Sequence, residues 1–232
     1  MNNRELAWSI LTAPQAAFME LRERPRFLVL LALTLAGTAA ILAWYYLFVD
    51  FPWLTEHMLN ANERMRQMSD AQRAKAAAVM SKTVLLWSSI IGGVIAILVF
   101  RLLEAGYYSL AGKITNVQYS FRHWFALSWW TSLPHLLGLV VMAVFLLLTD
   151  SNQVGSEELQ LLSLNELFFH RPQGEPGSAL LSNLTLLHPW AWVLTVIGIR
   201  AWSGRSLLFS LLFALLPIVL IYGGWALIAF KP

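Results

Sequence analysis

The chain has 232 residues, of which 58% are hydrophobic and 12% charged, with a net charge of +3, no cysteine and a mean hydropathy of +0.60. Soluble domains carry about 25% charged residues, so this composition excludes an ordinary water-covered globule, and the lack of cysteine excludes disulfides, thiolate metal sites and cysteine nucleophiles. Lys and Arg are spread along the chain without a dense block, which argues against nucleic-acid binding.

Residues 1–26 carry Arg4, Glu5, Glu20, Arg22, Glu23, Arg24 and Arg26 and lack the continuous apolar stretch of a secretory signal. Leu6, Ile10, Ala13, Ala17 and Leu21 fall on one helical face. Pro14 is expected in the first turn of a second short helix, where its missing N–H costs nothing. Two readings stand for this amphipathic segment: it lies on the membrane surface, or it packs under a helix bundle.

A helix needs roughly 20 apolar residues to cross about 30 Å of hydrocarbon. Five stretches qualify, at about residues 27–49, 83–104, 124–149, 179–199 and 206–230. They must be helical, because backbone groups in lipid need internal partners and none of the runs alternates as a barrel strand would. The predicted fold class is therefore all-α: a polytopic transmembrane bundle over residues 27–232, preceded by amphipathic interfacial helices at 1–26. Many of the 11 tryptophans lie near the ends of the apolar runs, where membrane interfaces favour them.

The connections differ. Phe51 to Lys82 reads as helical, with Leu54, Met58, Ala61, Met65 and Met68 on one face. Ser69 with Gln72 forms a capping box for a helix expected to run unbroken into the second span. Asp150 to Ser182 is irregular, with Ser163 and Glu166 capping a short helix that ends near Phe169. Arg200 to Arg205 is a tight turn, making the last two spans a hairpin. With the N-terminus inside, the inner segments hold Arg4, Arg22, Arg24, Arg26, Arg101, Lys113, Arg122, Arg200 and Arg205. The outer segments hold Arg64, Arg66, Arg73, Lys75, Lys82, Arg171 and Lys231. This slight excess of inner positive charge favours a cytoplasmic N-terminus.

No zinc-binding His-Glu-x-x-His, nucleophile elbow or phosphate-binding glycine loop occurs, so no catalytic or cofactor-binding residue is assigned. His57, His123, His135, His170 and His188 include no pair three or four residues apart, so no metal site is assigned. The candidate polar residues are Arg101 and Glu104, spaced to pair on one helix face, and His135 and His188, each beside a proline in an apolar run. Arg101 and Glu104 either reach the interface by snorkelling or face inward at membrane depth. Pro134, Pro189 and Pro217 are expected to kink their spans. Gly92-Gly93 and Gly223-Gly224 allow close helix approach, within the chain or between copies.

The order of Leu11-Thr12-Ala13-Pro14, Phe18 and Pro25, then Glu104-Ala105-Gly106-Tyr107 with Lys113-Ile114, Leu162 to Leu167, Trp190-Ala191-Trp192 through Gly198, and Pro217 through Tyr222-Gly223 resembles the Yip domain family of Ypt/Rab-interacting proteins, in its bacterial branch. Pro14, Gly106, Tyr107 and Pro217 are the family-motif residues. The resemblance implies five transmembrane helices, a cytoplasmic N-terminus, a bacterial inner (cytoplasmic) membrane and association with like proteins. It supplies no catalytic residues. The long N-terminal region of eukaryotic members is reduced here to about 25 residues, which argues against a Rab-type GTPase as partner.

The leading expectation is a non-enzymatic protein of membrane organisation or partner assembly. Its partners would be the lipid bilayer and a second copy or another membrane protein, with contact surfaces at Ala13-Pro14 and Leu54–Met68. The alternative is a small channel, lipid scramblase or transporter with a polar path near Arg101, Glu104, His135 and His188.

Overall fold

The computed structural model describes residues 1–61 and 63–230, with only the backbone described for Glu63 and Arg64. Lys231 lies outside the described residues, as does the Arg64 side chain. In chain order the helices are α1 (Asn3–Thr12), α2 (Pro14–Glu23), α3 (Leu28–Phe48), α4 (Phe51–Ala61), α5 (Glu63–Arg66), α6 (Asp70–Val79), α7 (Lys82–Thr115), α8 (Phe121–Thr131), α9 (His135–Leu148), α10 (Ser178–Asn183), α11 (Leu187–Ser203) and α12 (Leu207–Ala229). A 3₁₀ turn (Ser156–Leu159) and a π turn (Asn165–Phe169) lie between α9 and α10. Among the described residues there is no strand, only an isolated antiparallel bridge between Ser163 and Thr185.

Among the described residues, four stretches are long and apolar enough to cross a membrane: α3, α7, α8 with α9 (Phe121–Leu148), and α12. The fifth expected span, 179–199, is divided. Pro189 occupies the first turn of α11 and has no N–H to give the Thr185 carbonyl, so extending α11 upstream would not gain that hydrogen bond. Leu164 and Leu186 instead donate backbone bonds to Leu184 and Leu162, at 2.7 and 3.0 Å. The 17 residues of α11 measure about 25 Å at 1.5 Å each, at the short limit for a crossing.

The chain forms two compact units. The first comprises Met1–Ala36, Ile95–Leu136 and Leu187–Gly224; the second comprises Gly37–Val94, Leu137–Leu186 and Trp225 onward.

In the first unit, α2 packs on α11 and α8. Leu6, Ile10, Ala17 and Leu21 of the expected face are fully buried there, with Phe18 beside them, so that face packs within the protein except at Ala13, which is exposed; Trp8, Leu11 and Met19 remain exposed on the other side. A capping box between Asn2 and Glu5 starts α1, and Pro14 opens α2. Trp124, Trp129, Trp130 and Trp202 are core residues, not the interfacial anchors expected of tryptophans at span ends. The first three belong to α8. Two of the four indoles bridge elements: Trp202 donates to Phe18 O at 2.7 Å and Trp130 to Arg26 O at 2.5 Å. Gly198 is required by this packing, since a Cβ there would meet Leu127 at 2.6 Å and Phe18 at 3.4 Å. Gly204, at φ +64°, turns α11 into α12.

In the second unit, Ile41, Tyr45, Tyr46, Val49, Leu54 and Leu146 form the core, with Tyr45 donating to Val154 O at 2.9 Å. Leu54 is 1% exposed, so the expected Leu54–Met68 contact surface loses its first member to internal packing. Ser69 and Gln72 form the capping box of α6. The expected unbroken run into α7 fails: α6 closes at Met80 and Ser81 starts α7 afresh through a bond to Val84 N–H at 3.2 Å. Ser163 accepts from Glu166 N–H at 3.1 Å, but the segment it caps winds as a π turn.

Candidate functional site

The first unit gathers the four polar candidates. Arg101 lies within α7, a helix about 51 Å long at 1.5 Å for each of its 34 residues. Its Nη1 donates to Glu104 Oε2 at 2.6 Å and to Ser128 O at 3.1 Å. The Ser128 hydroxyl donates to the same carboxylate oxygen, and Tyr108 donates to Glu104 Oε1 at 3.0 Å. The two charged side chains are only 14% and 15% exposed. They therefore face inward and do not snorkel.

The sequence of α8 explains why the pair sits there. Pro134 supplies no N–H to Trp130 O, and the helix ends at Thr131 with 3₁₀-type bonds from Ser132 to Trp129 and from Leu133 to Trp130. Ser128 O thereby loses its α-helical donor. Arg101 and the Thr131 hydroxyl, at 3.2 Å, take that place. A cation at a helix C-terminus is favoured by the orphan carbonyls and the macrodipole.

Helix α9 starts beyond the break with His135, whose Nδ1 lies 3.3 Å from Ser132 O. Its ring meets His188 edge to face at 4.9 Å, and His188 Nε2 lies 3.2 Å from Tyr222 OH. Arg101, Glu104, His135 and His188 line one cavity of about 50 Å³, closed further by Thr195 and Tyr222. This space holds a water or two, since a water occupies about 30 Å³ in the liquid; ligand pockets run to about 300–1,000 Å³.

The family-motif residues fall in different places. Tyr107 and Pro217 are linked through Phe213: Pro217 lies inside α12 and leaves Phe213 O without its helical donor, and Tyr107 OH donates to Phe213 O at 2.9 Å. Gly106 touches nothing that a Cβ would disturb. Pro14 stands apart at the α1–α2 joint.

Sequence reasoning missed a larger cleft in the second unit, of about 650 Å³, lined by His57, Glu157, Glu166, His170, Arg171 and Gln173 among others. There His57 Nε2 lies 2.5 Å from Glu157 Oε1 and Gln173 donates to Glu157 Oε2 at 3.1 Å. The polar residues of the 150–182 segment were visible, but a pairing across 100 residues was not.

Apolar helices of spanning length, with large residues such as Val84, Trp87, Ile91, Ile95 and Leu103 of α7 facing outward, define a polytopic α-helical membrane protein in contact with lipid. The chain belongs to the Yip1 domain family, whose domain matches residues 8–228. It is similar to the membrane protein YknW of Bacillus subtilis (strain 168), at 25% identity over 203 residues, covering 86% of this chain and 79% of that protein. No solved structure matches significantly.

Proposed function

We propose that this Yip1-domain protein is a non-enzymatic component that organises membrane or assembles with membrane-protein partners, including copies of itself. One observation carries the reading. Arg101, Glu104, His135 and His188, on its apolar helices, are turned inward around a space of about 50 Å³, an arrangement that ties helices together and leaves room for a water or two. Its outward features suit contact instead. Trp8 and Leu11 of the Ala13-Pro14 segment are 69% and 43% exposed, and a Cβ at Gly92, Gly223 or Gly224 would meet no neighbour within 4 Å, leaving room for a second helix to approach. The excess of positive charge in the segments assigned inside supports an N-terminus in the cytoplasm of a bacterium, with the protein in the inner membrane.

The test is native mass spectrometry of the full-length protein extracted from membranes. Trp8→Glu and Gly223→Leu should each reduce the oligomeric fraction while the monomer stays folded. An unchanged distribution in both variants overturns the assembly reading. Liposomes carrying the wild type should pass ions and lipids no faster than empty ones; a flux that Glu104→Gln abolishes would establish the channel or scramblase reading in its place.

A further inference from the structure

We propose that the first unit carries a binding site for a single anionic phospholipid, formed by the C-terminal end of α7 and the start of α12. Between these helices runs an apolar groove of about 380 Å³, walled by Leu110, Ile114, Thr115, Phe209, Leu212 and Leu216. Ile114, Leu110 and Leu212 are 82%, 62% and 61% exposed, and both helices are apolar spans. The occupant of such a groove in a bilayer is hydrocarbon. From Tyr107 to Thr115 the groove extends about 12 Å along α7, most of the roughly 15 Å depth of one leaflet. That length fits one acyl chain.

The headgroup chemistry is set at the groove's end. Arg205 Nη2 donates to Thr115 O at 2.5 Å, and its guanidinium lies over the Phe209 ring at 4.6 Å. Thr115 and Phe209 are both groove residues, so Arg205 is fixed at the mouth of the apolar channel while staying exposed to water. A guanidinium has five N–H donors in a planar fork that matches a phosphate. Lys113, in the last turn of α7, is exposed too. Apolar wall and pinned cation together select a phosphate-bearing lipid with net negative charge over a neutral one. The inference needs only the membrane setting and stands apart from the assembly reading.

The experiment incubates the purified full-length protein with equal amounts of phosphatidylglycerol and phosphatidylcholine and reads retained lipid by native mass spectrometry. The wild type should keep the anionic lipid about fivefold over the neutral one. Arg205→Gln should bring that ratio to about one, and Arg205→Lys should keep a preference. Leu212→Trp, at an exposed wall position, should reduce both adducts, which separates groove occupancy from any folding role of Arg205. Equal preference in wild type and Arg205→Gln overturns the proposal. So does displacement of the lipid by millimolar inorganic phosphate, or a Leu212→Trp variant that shifts only the oligomer distribution, which would identify the groove as a contact between copies.

Discussion

Two prolines in apolar helices meet opposite fates. Pro134 ends α8 and forces a three-residue gap before α9, whereas Pro217 stays inside a continuous α12 of 23 residues. Each removes one backbone donor, so the carbonyl four residues earlier loses its α-helical bond, which lipid cannot replace. At Pro217 a single neutral donor, Tyr107 OH, answers the freed Phe213 O. At Pro134 the chain turns, so more groups are released, and a charged network of Arg101, Glu104, Ser128 and Tyr108 closes around them. The lesson is that a proline's effect in a span depends on what the neighbouring helix offers. One hydroxyl suffices where the helix continues, and an ion pair accompanies a break.

This contrast can be broken by mutation. The largest effect should come from Arg101→Ala, which leaves the Glu104 carboxylate unpaired in the protein interior and should cost about 3–5 kcal/mol. Thermal unfolding in detergent, followed by tryptophan fluorescence, measures it; Arg101→Leu combined with Glu104→Leu should recover most of the loss. A smaller cost, about 1–2 kcal/mol, is expected for Ser128→Ala, which removes one donor to the same carboxylate. Tyr107→Phe should cost about 1 kcal/mol. In a Pro217→Ala background that cost should fall to near zero, because the backbone N–H restored by the substitution can then reach Phe213 O. A double-mutant cycle without coupling would show that Tyr107 does not serve the proline. Gly106→Ala should shift unfolding by less than about 0.5 kcal/mol, since nothing stands within 4 Å of the added carbon. A defect in assembly without loss of stability would then mark Gly106 as a contact point.

Much of the polar site could be read from the chain. The three-residue spacing of Arg101 and Glu104 is local, so helix geometry predicts their pairing, and the ion pair is found. His135 and His188 stood out because each adjoins a proline in an apolar run, but their ring contact joins residues far apart in sequence. Ser128 and Tyr108 gave no signal: a serine and a tyrosine near the end of apolar runs look like ordinary span residues until a carboxylate is placed beside them. The tryptophans misled for a related reason. Their position at run ends is what interfacial anchoring produces, and it is also what a core between α2, α8 and α11 produces.

Composition and hydrophobic run length alone determined that this chain is a helical membrane protein, because lipid leaves the backbone no other partner than itself. The order of its motif residues carried the Yip-like resemblance, and Pro14 and Ser69 marked helix starts because capping is a local interaction. Which of the apolar runs would stay whole was decided only by tertiary structure. Pro134, Pro189 and Pro217 look alike in sequence, yet one breaks a helix, one begins a helix and one is carried inside it. At Pro134 and Pro217 the carbonyls left without helical donors, Ser128 O and Phe213 O, are met by Arg101 and Tyr107 of another helix, through contacts between residues roughly 30 and 100 positions apart.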